Sequence, residues 1–117
     1  MIKKGDYIRT YDGFIGKLDY IDPVGIDYNH YHFENSFEEV YDDDIKLVKK
    51  RPIDLIEVGD YVNGELVTAI HKDYVYDEIS LGKALETANN YTVTLNEDIK
   101  SIVTKEQFEN IEYRIGE

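Results

Sequence analysis

His30 and His32 stand two residues apart in the β-prone run Asp27-Tyr28-Asn29-His30-Tyr31-His32-Phe33. On a strand, two imidazoles at that spacing leave from one face and could share a metal ion with a nearby carboxylate. The remaining histidine, His71, is distant and sits in no comparable motif. An isolated His-x-His in a tyrosine-rich strand is more often surface or packing, so no metal or cofactor is assigned. The His30/His32 face is kept as an alternative metal or small-ligand site. Asp42-Asp43-Asp44 lacks the alternating oxygen ligands, central glycine and terminal glutamate of a calcium loop, and reads instead as carboxylates at the amino end of one helical turn. Ser36, Ser80 and Ser101 lie in no nucleophile-elbow setting, and no phosphate loop or dinucleotide fingerprint is present. Carboxylates are spread too evenly to single out an acid and a base, and the expectation is a protein without catalytic activity.

Charge gives the stronger functional signal. The chain carries 25 acidic and 13 basic residues, a net charge of −12. Residues 1–54 hold 12 acidic and 8 basic side chains and residues 55–117 hold 13 and 5, so the second half is the more anionic. Such a field repels nucleic acid and attracts basic surfaces, which disfavours direct DNA binding. Eleven tyrosines among these carboxylates give the composition of a binding face as well as a solvating one. Asp73-Tyr74-Val75-Tyr76-Asp77-Glu78 is the densest acidic and aromatic stretch. On a strand it would put Asp73, Val75 and Asp77 on one face and Tyr74, Tyr76 and Glu78 on the other. With Glu57, Glu65, Glu86 and Glu97 it could space carboxylates like backbone phosphates. The partner-binding residues read from the sequence are Asp73, Tyr74, Tyr76, Asp77, Glu78, Glu86 and Glu97.

The elements that must carry these side chains are written twice. Gly5-Asp6-Tyr7-Ile8 returns as Gly59-Asp60-Tyr61-Val62, and Asp44-Ile45-Lys46 as Asp98-Ile99-Lys100, both at an offset of 54. Asp19-Tyr20-Ile21 and Asp73-Tyr74-Val75 share that offset. Asp12-Gly13 and Asn63-Gly64, each between β-prone runs, predict a hairpin in each copy, although these glycines do not align at the offset. In the first copy, Pro23 and Gly25 are expected to break the chain before a strand over 27–33. A short strand over 37–41, one helical turn over 41–45 and a strand over 46–50 follow. The second copy repeats the order with a strand over 65–70, a strand over 73–81, a polar loop through Asn89-Asn90, a strand over 91–95, a turn over 96–99 and a strand over 100–103. Thr104-Lys105-Glu106-Gln107 is a capping box ahead of a short helix to about Asn110, and Ile111 to Ile115 can return as an edge strand.

This order predicts a mainly β fold: two tandem SH3-like small barrels from an internal duplication, with a short C-terminal helix and edge strand. The first unit spans 1–52 and the second 53–117, joined through Arg51-Pro52-Ile53-Asp54-Leu55. Half-chains of this size bury only about 60% of their unfolded surface, near the lower limit for an independent core. No apolar run approaches the roughly 20 residues of a bilayer span, no secretory leader is recognisable, and no cysteine is present. A soluble protein in a reducing compartment is expected.

The openings Lys3-Lys4-Gly5-Asp6-Tyr7-Ile8-Arg9-Thr10 and Gly13-Phe14-Ile15-Gly16-Lys17, the joint from Ile53 to Gly64 and the ending from Asn96 to Glu109 resemble small uncharacterised phage and prophage proteins of clostridia and related Firmicutes. The resemblance implies a phage setting in the cytoplasm of a host bacterium and supplies no catalytic residues. By analogy of size and charge, it points to an anti-defence inhibitor of the anti-CRISPR kind, which would bind the basic surface of a nucleic-acid-binding host effector. The alternative is a structural or adaptor module of the phage programme, with a homodimer open to the C-terminal edge strand.

Overall fold

The computed structural model describes residues 1–75, 81–88, 93–94 and 99–111, with side chains for all of these except 72–75, 81–83, 93–94 and 111. The chain divides into two compact units, Met1–Leu55 and Ile56–Glu117. In the first, strands β1 (Tyr7–Thr10), β2 (Ile15–Gly25), β3 (Tyr28–Phe33), β4 (Val40–Tyr41) and β5 (Ile45–Lys49) form an antiparallel sheet in the order β4-β3-β2-β1-β5. In the second, β6 (Tyr61–Val62), β7 (Glu65–Val75), β8 (Leu81–Thr87), β9 (Val93–Thr94) and β10 (Ile102–Val103) take the order β10-β6-β7-β8-β9, and helix α1 (Lys105–Ile111) follows. The fold of the described residues is thus mainly β, with two antiparallel sheets and one short helix. Among the described residues, no pairing joins β4 to β5 or β9 to β10, so neither sheet closes into the barrel that the sequence suggested.

The two Gly-Asp segments share one hydrogen-bond pattern. Lys3 and Asp6 close a β-turn with Gly5 at φ +92°, and Glu57 and Asp60 close its copy with Gly59 at φ +101°. Positive φ at the third position is what a type II turn demands, so each repeat opens on a glycine that cannot be exchanged without strain. The Asp6 amide donates to Lys3 O at 3.1 Å and the Lys3 amide donates back to Asp6 Oδ2 at 3.0 Å; the corresponding distances at Glu57 and Asp60 are 3.1 and 2.7 Å. Asp6 O then accepts from Leu18 N, and Asp60 O from Val67 N, both at 2.8 Å.

Those last contacts show where the copies diverge. Leu18 pairs with Phe33 and Val67 with Thr87, so the counterpart of residue 18 lies 49 positions on and that of residue 33 lies 54 on. The second copy is five residues shorter in its first hairpin and five longer between β7 and β8. The shortened hairpin is a two-residue turn with Asn63 at φ +52° and Gly64 at φ +80°, the left-handed pair of a type I′ turn. By this register the counterpart of Asp19 is Thr68, each falling where the ladder shifts. The match between Asp19-Tyr20-Ile21 and Asp73-Tyr74-Val75 is therefore coincidental.

Other boundaries also move. Residues 65–70 and 73–75 belong to one eleven-residue strand, and the stretch after Leu81 read as polar loop is β8. β2 runs through Pro23 because that end of the strand has passed beyond β1 and pairs only with β3, where a missing N–H is tolerated. The strand expected over 37–41 contracts to Val40–Tyr41. Pro52–Leu55 is a 3₁₀ turn whose Ile53 and Leu55 are buried. The capping box forms as read: Gln107 N donates to Thr104 Oγ1 at 3.3 Å and Thr104 N to Gln107 Oε1 at 3.1 Å. Ile111 is the last residue of α1, and the remainder of the expected edge strand, like residues 96–98, lies outside the described residues.

The first unit's core gathers Ile8, Leu18, Tyr31, Phe33 and Val40, with Phe14, Ile21, Ile45 and Val48 packed around them. β3 alternates cleanly: Tyr31 and Phe33 enter this core, while Tyr28, His30 and His32 face outward. In the second unit Val62, Val67, Ala84 and Leu85 are buried. No helix among the described residues is long and apolar enough to cross a membrane.

Candidate functional site

The outward face of β3 is continued by its neighbours, because residues directly opposite in an antiparallel pair share a face. Tyr20 and Asp22 of β2 lie opposite His32 and His30, and Tyr41 of β4 lies opposite His30. The result is a ladder of five rings. Tyr20 stacks on His32 (centroids 4.2 Å, planes 8° apart), His32 meets His30 at 4.1 Å, His30 stacks on Tyr41 at 4.6 Å, and Tyr41 stacks on Tyr28 at 5.7 Å.

Asp22 stands at the edge of this ladder. Its Oδ2 is 3.9 Å from His32 Nε2, and one donor atom each from Asp22, His30 and His32 lie within 4.8 Å of one another. The Nε2 atoms of both histidines are shielded from solvent and have no hydrogen-bond partner among the described residues. Two imidazoles and a carboxylate are borderline-soft donors that suit a first-row transition metal better than calcium or magnesium.

The aspartate run beyond β4 is occupied structurally, in line with the capping reading. Asp42 accepts from Asn29 N at 2.9 Å and from the Tyr31 hydroxyl at 2.5 Å, while Asp44 accepts from Tyr41 N at 2.9 Å. Burial, and then the bond to Asp42, pushes the Tyr31 hydroxyl above its ordinary range. Desolvation, and then the charges of Asp43, Asp44 and Asp42, do the same for Tyr28. The hairpin beyond the ladder exposes Val24 and Ile26, and the segment before β4 exposes Phe37 beside Glu38 and Glu39. The first unit therefore presents aromatic and apolar groups among carboxylates.

The residues singled out in the sequence fall elsewhere. Asp73 and Tyr74 lie on β7, where the backbone alone is described, and Tyr74 pairs with Gly82. Tyr76, Asp77, Glu78 and Glu97 lie outside the described residues. Glu86 is half-exposed on β8 with its Oε2 3.5 Å from His71 Nε2. The ladder residues Tyr20, Asp22 and Tyr41 were not singled out, although the register of a hairpin turning at 26–27 would have placed the first two against the histidines.

A shallow depression of about 390 Å³ lined by Met1, Ile2, Asp6, Val48, Lys49, Lys50 and Asp54 lies on the same unit. Its buried carboxylate, Asp6, is already held by Lys50 Nζ at 2.5 Å, so it offers no vacant ligand there. Comparison of the chain with protein-family models, with curated proteins and with solved structures gives no match.

Proposed function

We propose that this chain is a non-enzymatic binding protein of two SH3-like units that docks on a basic protein surface. The observation that carries this reading is the ring ladder Tyr20, His32, His30, Tyr41 and Tyr28, flanked by Asp22, Asp43 and Asp44. The exposed end rings Tyr20 and Tyr28, beside carboxylates, suit arginine and lysine side chains through cation–π contact and charge-assisted hydrogen bonds, and tyrosine-rich patches concentrate binding energy. The net charge of −12 adds long-range attraction to a cationic partner. The acidic composition of residues 73–78, with Glu86 and Glu97, adds to that attraction.

The resemblance to phage and prophage proteins supports a partner in the host cytoplasm. A nucleic-acid-binding defence effector is a host protein whose function rests on such an extended basic surface. Occupying that surface would inhibit it, in the manner of an anti-CRISPR protein that stands in for nucleic acid.

Capture of host proteins on the immobilised chain at low salt, with stepwise elution, tests this. The expected result is one nucleic-acid-binding protein that is released as salt rises past the Debye regime and displaced by added DNA, with capture lost in the Tyr20→Ala/Tyr28→Ala double variant. Recovery of virion components alone, or capture indifferent to salt, would overturn the reading in favour of an adaptor role.

A further inference from the structure

We propose that Asp22, His30 and His32 form a binding site for a divalent transition-metal ion of the zinc type. The site goes beyond the docking reading, since it requires no partner.

Three observations converge. The donor atoms already lie within 4.8 Å of one another, and the His32 Nε2 to Asp22 Oδ2 separation is 3.9 Å. Bonds of about 2.0–2.2 Å in a tetrahedral arrangement need donors about 3.3 Å apart. Asp22, with its side chain 57% exposed, has the rotational freedom to close that difference. The two Nε2 atoms are shielded and unpartnered, a condition that is costly for polar nitrogens unless something ligates them. A proton can satisfy one of them against Asp22. With one nitrogen turned to Asp22 the other still has no partner, whereas a single metal ion would ligate both nitrogens and the carboxylate together.

The surroundings hold the ligands in place. His32 is stacked under Tyr20 and His30 against Tyr41, so the imidazoles are oriented before any ion arrives. Three protein ligands leave a fourth position for water or for a donor from another molecule. Imidazole ligands favour zinc, cobalt, nickel or copper over magnesium and calcium, which take oxygen. The second unit provides an internal control. Its register places His71 where Asp22 stands, Glu86 where His32 stands and Ala84 where His30 stands, leaving two ligands of three.

The test uses the full chain, stripped with chelator and titrated with Zn²⁺ by calorimetry and with Co²⁺ by visible absorption. The expected result is saturation at one ion per chain, tetrahedral Co²⁺ bands, and no competition from Mg²⁺ or Ca²⁺. Asp22→Asn should weaken binding by at least about tenfold. His30→Ala and His32→Ala should abolish saturation, and His71→Ala should leave it unchanged. Because a variant could misfold, the ring-proton resonances of the unmodified chain provide a second readout: Zn²⁺ should move those of His30 and His32 and leave that of His71. Absence of saturation, or shifts confined to His71, would overturn the proposal. The titration contains metal alone, so its failure leaves partner docking standing, and failed partner capture leaves the metal site standing.

Discussion

Asp22 and His71 occupy equivalent positions on β2 and β7, and each faces the opposite chemistry across its strand pair: Asp22 lies 3.9 Å from His32, and His71 lies 3.5 Å from Glu86. Both units thus carry an acid–imidazole pair, with the acid on β2 in the first and on β8 in the second. Such a contact works in either orientation, because side chains on one face of an antiparallel pair meet whichever strand carries the acid. The third member differs, His30 in one unit and Ala84 in the other, so among the described residues the three-ligand cluster belongs to the first unit.

The pair in the second unit should contribute little to stability. Both side chains are about half exposed, at 50% and 43%, and exposed ion pairs are worth roughly 0–1 kcal/mol. A double-mutant cycle with His71→Gln and Glu86→Gln, read by chemical denaturation, should return a coupling energy below about 1 kcal/mol.

Asp6 should govern the acid limb of the stability curve. The hydrogen bond from the Lys50 ammonium holds its carboxyl below the usual range; burial opposes this, and the Lys3 amide adds to it. A folded-state value below the unfolded one means stabilisation that is fully present above about pH 4 and lost as pH falls through the lowered folded value. Asp6→Asn should therefore flatten the fall in stability on acidification, which thermal melts across the acid range would reveal. Asp6→Ala, which also leaves the Lys3 amide without its acceptor, should cost about 1–3 kcal/mol at neutral pH.

The turn that holds Asp6 was legible as the Gly-Asp pair at residues 5–6 and 59–60, because positive φ leaves a glycine in the sequence and a repeated hydrogen-bond pattern leaves an aspartate. The capping box at Thr104 and the Asn63-Gly64 turn were legible for the same reason: local backbone demands select residue types. The long strand β7 was not, since its register shift between His71 and Tyr74 looks in sequence like a break between two strands. The ring ladder was hidden because it is assembled across β2, β3 and β4, and Pro23 disguised how far β2 extends. Arg9 was hidden by its charge.

That arginine is fully buried, and its Nη1 donates to Leu55 O at 3.0 Å. It ties β1 to the 3₁₀ turn at Pro52–Leu55 in the first unit, replacing water that the carbonyl would otherwise need. Arg9→Ala removes a large buried side chain and leaves a buried carbonyl without this donor. A loss of about 2–4 kcal/mol in urea denaturation is expected, with Arg9→Lys recovering only part of it because a lysine lacks the planar fork.

Gly16 sits under an edge-to-face pair of phenylalanines, Phe14 and Phe33, whose centroids are 5.0 Å apart. A Cβ at this position would come within 2.7 Å of Phe14 Cζ and of Phe33 Cδ1. Phe33 is buried and cannot withdraw without disturbing Leu18, its partner across the strand pair. Gly16→Ala should therefore destabilise the chain by about 1–3 kcal/mol, and the melting temperature of Gly16→Ala should fall well below that of a control such as Lys17→Ala at an exposed site.

Tyr31 carries the alkaline counterpart of the Asp6 effect. Burial first, and then the hydroxyl's bond to the Asp42 carboxylate, raise its proton affinity above the usual tyrosine value of about 10. With the folded value raised, the stabilisation is fully present below that pH and is lost as pH climbs toward the folded value. Tyr31→Phe keeps the ring in the core but removes the hydroxyl, and should cost about 1–2 kcal/mol at neutral pH while making stability less sensitive to alkali. Denaturation midpoints measured at neutral pH and near pH 11 decide it: the gap between the original chain and Tyr31→Phe should narrow as pH rises. A constant gap would show that Tyr31 keeps its proton affinity unchanged on folding and that the bond to Asp42 acts only through geometry.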